Sequence, residues 1–273
     1  MRCLCVMGLL SFFLTGISAS STLAAEPIRL RVMSYNIHHA EGVDGKLDVA
    51  RIARVISDEK PDLVSLQEVD KKVKRTGGVD QATELGKLTG LHVVFGGNIT
   101  LQGGEYGNAV LSRLPIHASE NHRLPNVAQG EQRGLLVTQL QLADNAGIVL
   151  FGATHFDHRE DDAERFQSAA AVEKLLGRHA AARTAKLILL AGDLNDGPES
   201  RTLRSLREQW SSVNERPLAT IPVDRPSRQI DFILFRPQGR ARVLNVRVLD
   251  EAMASDHRAI VADLEFRGDS SNE

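Results

Sequence analysis

Apolar residues along this chain fall into short runs, and most runs end abruptly on a carboxylate, an amide or an imidazole. Ile28 to Tyr35 alternates and reads as a strand ending at Asn36. Ile52, Val55 and Ile56 share one helical face behind a capping Asp48, with Pro61 just past the helix end. Leu63 to Leu66 reads as a second strand ending at Gln67-Glu68. Ala82, Leu85 and Leu88 then space a short helix that stops at Gly90.

Short strands follow at about 92–96, 108–112, 116–120, 134–142 and 148–155, the last two joined by a turn at Asp144-Asn-Ala-Gly147. A helix from about Asp161 to Ala181 carries Phe166, Ala169, Val172 and Leu176. Leu187 to Ala191 is a continuous apolar run, too short for a helix, and reads as a buried strand that stops at Gly192-Asp193. A helix near Leu203 and Leu206, a Pro-rich loop at 217–227 and three strands near 230–235, 241–248 and 259–266 complete the chain. The pattern holds about eleven strands and about four helices, with strands in adjacent runs and helices interrupting only some of them. It predicts an α+β chain of two packed, mainly antiparallel sheets with helices outside, and no internal repeat or linker.

Length and composition narrow the class. The 273 residues are 42% hydrophobic and 4% aromatic, enough for one large core over 26–267. Residues 1–25 differ: Arg2, an apolar run from Leu4 to Ile17, then small residues to Ala25, the order of a secretory signal. That predicts a secreted or periplasmic protein. The apolar run is too short for a stable membrane span. Both cysteines, Cys3 and Cys5, lie inside this leader, so the remaining chain is expected to carry no disulfide. Residues 268–273 form a polar tail. The formal net charge of −2 and pI of about 6.5 do not favour a protein that grips long nucleic acid through many phosphates. No protein partner is evident.

The candidate chemistry lies where the runs end: Asn36, Glu68, His155 with Asp157, Asp193 with Asn195, Asp231, and Asp256 with His257. One such residue is usually a cap or a turn. Six such places suggest a single convergent site. In an extended chain Asp193 and Asn195 project to the same side. Carboxylate and amide oxygens suit a hard cation, Mg²⁺ or Mn²⁺. Neither thiols nor a His-Glu-x-x-His helix is present for a dedicated zinc site. Such a set can hydrolyse a phosphate ester: a carboxylate handles water, while the cation and imidazoles stabilise charge.

Seven segments, in order, resemble the endonuclease/exonuclease/phosphatase superfamily: Ser34-Tyr-Asn36, Pro61 to Glu68, Gly107 to Arg113, Thr154-His-Phe-Asp157, Gly192-Asp-Leu-Asn195, Gln229-Ile-Asp-Phe232 and Ser255-Asp-His257. The resemblance implies a four-layer, DNase I-like sandwich. It implies Glu68 as the main metal ligand with Asn36 and Asp256 nearby, Asp193 on the attacking water, and Asn195 on a phosphate oxygen. It further implies His257 on the scissile phosphate, oriented by Asp231, and His155 on phosphate or leaving group. Asn108, Arg133 and Arg165 are candidate substrate contacts, with a structural ion pair the competing role for Arg165 on its helix. His38 stands where some relatives carry a metal-binding Asp, which counts against a second tight metal site. Small or lipid-linked phosphodiesters and phosphomonoesters fit the charge; a nonspecific extracellular nuclease and a non-catalytic binding module are the alternatives.

Overall fold

The computed structural model describes residues 26–127, 129–143 and 146–267. The expected leader, the tail from 268, and positions 144 and 145 of the expected turn lie outside the described residues. The elements in chain order are β1 (Ile28–Asn36), α1 (Val49–Glu59), β2 (Leu63–Lys71), α2 (Gln81–Thr89), β3 (His92–Leu101), β4 (Gly104–Ser112), β5 (Ile116–Arg123), β6 (Gly134–Gln141), β7 (Ile148–His155), α3 (Ala163–Arg178), β8 (Ala185–Asp193), α4 (Arg201–Arg207), β9 (Ser211–Ser212), β10 (Asp231–Arg236), β11 (Ala241–Val248) and β12 (Ile260–Phe266). None of the described helices is long and apolar enough to cross a membrane.

The strands form two six-stranded sheets, ordered β11-β12-β1-β2-β4-β3 and β5-β6-β7-β8-β10-β9. In both, the central pair (β1 with β2, β7 with β8) is parallel and every other pair antiparallel. The two sheets thus repeat one pairing scheme, a repeat with no echo in the residue pattern. Each parallel pair brings two strand C-termini to the same edge.

Strand alternation sorts the core into three layers. Leu187, Leu189 and Ala191 of β8 face the other sheet, meeting Leu30, Val32, Leu63, Phe151, Ile233 and Ile260. Ile188 and Leu190 face outward onto Ala169, Val172 and Leu176 of α3 and Leu203 and Leu206 of α4. Met33, Tyr35, Val64 and Leu66 face outward onto Ile52 and Ile56 of α1 and Leu85 of α2. The continuous apolar run of β8 is therefore the run of a strand covered on both sides. Helices lie outside two packed sheets, as the residue pattern predicts, and make the four layers that the family resemblance implies.

Burying one Leu or Phe side chain contributes about 1.5–3 kcal/mol. A hydrogen bond that crosses between the central strands, Ser65 Oγ to Ala191 O at 2.9 Å, contributes about 1 kcal/mol net. The apolar strip holds the sheets together, and the Ser65 bond fixes how they sit.

The helix signals hold. Asp48 caps α1, accepting from Arg51 N at 2.8 Å, and α2 ends at Gly90 with φ 72°. Two expectations need correction, and one side chain of α3 lies apart from its buried face. β2 does not stop at Gln67-Glu68 but runs on to Lys71 through a bulge. α3 ends at Arg178, with a separate 3-10 turn at Ala180–Arg183. Phe166 is not core; it is 37% exposed, with the Arg201 guanidinium 4.8 Å over its ring.

Candidate active site

Four strands deliver the site, and their alternation explains the direction of each group. Asn36, His155, Asp193 and Asp231 share parity with the residues of their strands that face the opposite sheet. Each stands where its strand meets the edge: Asn36, His155 and Asp193 close their strands, and Asp231 opens the antiparallel β10. The register aligns three of them: Asp193 lies opposite His155 on β7 and opposite Asp231 on β10. Gly192 allows the approach of β7, since a Cβ there would sit 2.0 Å from Thr154 O.

Glu68 arrives differently. By alternation it would follow Val64 and Leu66 out toward the helices. The bulge in β2 sets Gln67 and Glu68 against the single residue Asn108 of β4, with Glu68 at φ 61°. Bulges re-aim side chains beside active sites, and this one turns Glu68 back under the edge. Its Oε1 accepts from Asn36 Nδ2 at 3.0 Å.

Asp193 is the hub. Its Oδ2 accepts from Asn36 Nδ2 at 3.1 Å and lies 3.5 Å from His155 Nε2 and 3.7 Å from His257 Nε2. Its Oδ1 accepts from Asn195 N at 2.9 Å. Burial raises the Asp193 carboxyl well above the usual carboxylate range, and the charge of Asp231 adds to this. The hydrogen bonds and His257 pull the other way. His257 shows the opposite balance. Burial lowers its pKa, but the charge and hydrogen bond of Asp231, with Asp193 and Asp256, push it up to about 10. Its Nδ1 donates to Asp231 Oδ2 at 2.9 Å, so Nε2–H of a cationic ring faces the cavity.

His155 is held neutral. Burial lowers its pKa well below the ordinary value, and the Arg133 guanidinium, His257 and His158 reinforce this. Arg133 can only donate, so its Nη1, 3.0 Å from His155 Nδ1, assigns the ring proton to Nε2. The other arm of Arg133, Nη2, donates to His158 Nδ1 at 3.1 Å, and Glu131 pairs with the guanidinium at 2.7 Å. These groups close a cavity of about 280 Å³ lined by Glu68, Tyr106, Glu131, Arg133, His155, His158, Asp193, Asn195 and His257.

The model of the Endonuclease/Exonuclease/phosphatase family matches residues 33–257. The chain belongs to this family. Escherichia coli K12 YbhP, an uncharacterised protein, is 26% identical over 175 residues, 62% of this chain and 67% of YbhP. An endonuclease/exonuclease/phosphatase from Beutenbergia cavernae superposes with TM-score 0.73 at 28% identity, covering 88% of this chain and 72% of that one. A Bacteroides thetaiotaomicron mannosyl-6-phosphatase shares the fold with TM-score 0.70 at 20% identity, over 86% and 99% of the two chains. Membership of the endonuclease/exonuclease/phosphatase family supports a phosphoesterase-class hydrolase.

Against that family frame, the structure sorts the sequence candidates. Asn36, Glu68, His155, Asp193, Asp231 and His257 are joined by the contacts above, and Arg133 and Asn195 line the same cavity. Asp193 and Asn195 meet through a turn, with Asn195 at φ 50°, rather than by strand alternation. Asn195 Nδ2 donates to Phe156 O at 3.1 Å, which leaves its second N–H for a ligand.

Four candidates sit elsewhere. Arg165 is buried behind the loop after β7, donating to the carbonyls of Asp157, Arg159 and Glu160, with Nε 3.3 Å from Asp196. Three of its N–H groups hold loop carbonyls and it does not line the cavity, which makes it a clamp on the loop. Asn108 braces the sheets, its Nδ2 donating to Gly134 O at 3.0 Å, and it does not line the cavity. Asp256 is exposed on the loop beside His257, outside the cavity lining. Asp157 likewise faces Arg159 and pins the loop.

Tyr106, Glu131 and His158 were not legible as site residues. Tyr106 and His158 lie next to matched segments, but a turn and a surface imidazole explain their positions equally well in sequence. Glu131 carries no signal.

The oxygens present fit a hard cation. Asn36 turns its nitrogen to both carboxylates and its Oδ1 to His38 N at 3.1 Å, so it holds Glu68 rather than offering an oxygen ligand. Among the described residues no donor reaches Glu68 Oε2, which leaves one carboxylate oxygen facing the cavity. Glu68 would hold the ion.

Proposed function

We propose that this chain hydrolyses small phosphate esters, monoesters or diesters, with Mg²⁺ or Mn²⁺ at Glu68. Water attacks phosphorus without a covalent enzyme intermediate. The observation that carries this reading is the placement of Asp193 Oδ2 between a neutral and a cationic imidazole, 3.5 and 3.7 Å away. Asp193, its pKa raised toward neutrality by burial, orients the attacking water and accepts its proton. His257, charged, donates from Nε2 to a phosphoryl oxygen. His155 donates Nε2–H, and the free N–H of Asn195 completes the cradle. A bound cation supplies charge neutralisation on the phosphoryl oxygens.

Two observations support a small substrate. The cavity of about 280 Å³ is at the lower limit of ligand pockets, enough for a phosphoryl group and one small substituent. Two of its walls are acidic, Glu68 and Glu131, which disfavours a polyanion. The name of the mannosyl-6-phosphatase that shares the fold adds weight to a sugar-phosphate-sized monoester.

The test is hydrolysis of p-nitrophenyl phosphate, its bis ester and single-stranded DNA with Mg²⁺ or Mn²⁺, with and without chelator, in H₂¹⁸O. The expected result is chelator-sensitive release from the small esters, with one solvent ¹⁸O in the product phosphate. Preferential cutting of DNA selects the nuclease alternative, and no turnover of any ester selects the binding module.

The leader order at residues 2–25 further supports export to the periplasm or medium. Sequencing the protein recovered from that fraction is expected to find a new N-terminus near Glu26; an N-terminus at Met1 would overturn it.

A further inference from the structure

A second cluster of ligand atoms adjoins the site and shares only Glu68 with the chemistry above. His38, His39 and Glu68 each offer one ligand atom, and the three atoms lie within 4.8 Å of one another. The two histidines form a 3-10 turn, His38–Ala40, immediately after β1, and both have φ near +44° (44° and 43°). Three successive residues in the left-handed region, with Ala40 at φ 61°, are held only where surroundings over-determine them.

Glu41 orients both rings. His38 Nδ1 lies 3.2 Å from Glu41 O, a carbonyl that can only accept, so the proton is on Nδ1 and Nε2 carries a free lone pair. Glu41 Oε2 lies 3.4 Å from His39 Nε2, which places that ring's proton on Nε2. His39 Nδ1 then carries the lone pair, and it is buried with no hydrogen-bond partner. The His39 side chain is only 10% exposed. An unpaired buried nitrogen is costly to keep. Imidazoles that bind metals almost always donate their other N–H to a carbonyl or carboxylate, as both rings do here.

We propose that His38, His39 and Glu68 form a site for a borderline divalent transition metal, of the Zn²⁺ class, beside the phosphate-ester site. Two imidazoles and one carboxylate are a donor set that favours such a metal over Mg²⁺, which takes oxygen ligands, and this reverses the sequence expectation that His38 counts against a second tight metal site. A tetrahedral ion with bonds of about 2.0–2.1 Å sets its ligands about 3.4 Å apart, so side-chain adjustment of roughly 1 Å closes the set. The nearby Arg75 does not oppose a cation, because Asp70 neutralises it through bonds of 2.8 Å at both Nε and Nη2. Glu68 belongs to both clusters, so occupancy here tunes the oxygen site through a shared carboxylate.

The experiment is Zn²⁺ titration of the metal-stripped chain, without substrate, followed by X-ray absorption at the zinc edge. Wild type is expected to bind Zn²⁺ with the multiple-scattering signature of two imidazoles. His38→Ala and His39→Ala are each expected to lose affinity by more than about tenfold, the lower end of what even outer-shell changes cost a metal site. Melting curves of the metal-free variants check that they fold. Should His39→Ala not fold, His38→Ala decides, with His155→Ala as the control expected to keep its zinc affinity, because His155 and His257 flank Asp193 as a rival pair of imidazoles. Zinc held by oxygen ligands only, or unchanged affinity in folded variants, overturns the proposal. Because no turnover is measured, either outcome is independent of whether the chain cleaves phosphate esters.

Discussion

Asp193→Asn is expected to lower kcat on any phosphate ester by about 10²–10⁴-fold, the contribution of a positioned general base, while raising Tm at pH 8. The two effects come from one cause. The side chain is 1% exposed, opposite Asp231 in the register, and its pKa in the folded chain is raised above its unfolded value. For an acid, that sign means the ionised form is better tolerated in the unfolded chain, so ionised Asp193 opposes folding at pH 8. Asparagine removes the charge and keeps the shape, which leaves the cavity intact without its base. Its amide keeps one oxygen for Asn195 N and gives up the bond from Asn36 Nδ2, as a protonated carboxyl with its OH at Oδ2 would. Steady-state rates and a melting curve on the same preparation check both halves. A variant with near-normal kcat would remove Asp193 from the chemistry, and one with a much lower Tm would make it a structural residue.

Asp231→Asn is expected to act through His257 and to be read best in pH dependence. In the wild type the Asp231 charge, against burial, keeps the His257 imidazolium up to about pH 10. If that cation donates to phosphate, kcat/KM holds on the alkaline side until about pH 10. Without the charge, burial dominates and the pKa of His257 falls. The alkaline limb then moves down by several pH units, and activity at pH 8 falls by about 10²–10³-fold, the loss typical of one transition-state donor. Stability carries the same signature. A histidine whose folded pKa is raised contributes stability that is fully present below its unfolded pKa near 6.5 and is lost as pH rises through about 10. In Asp231→Asn that component of the Tm-versus-pH curve disappears. An alkaline limb that stays in place would show that His257 is not the titrating donor.

Much of the site was legible because its members end apolar runs. Strand alternation is a local property: given that Leu187, Leu189 and Ala191 face inward, Asp193 must too, and the same holds for His155 after Phe151 and Ala153. The cap at Asp48 and the stop at Gly90 were legible for the same reason, since each depends on residues within one turn of the helix. Glu68 was found by motif and not by periodicity. Alternation alone sends it to the helix layer, and only the bulge opposite Asn108 reverses it. For Arg165 the sequence offered both a phosphate contact and a structural ion pair, and only the folded loop shows three carbonyls using its donors.

By itself, the order of residues determined the layers: which stretches are strands or helices, which faces are apolar, and which polar groups stand at strand ends. Those follow from side-chain spacing along a few residues. The tertiary structure decided which ends meet. Pairing β7 with β8 and β8 with β10 set His155, Asp193 and Asp231 side by side. Packing the second sheet added Asn36 and Glu68, and a turn in the left-handed region placed His38 and His39 next to them. Protonation followed from that assembly, because burial and neighbouring charge act through space between groups that the chain separates by up to 157 residues.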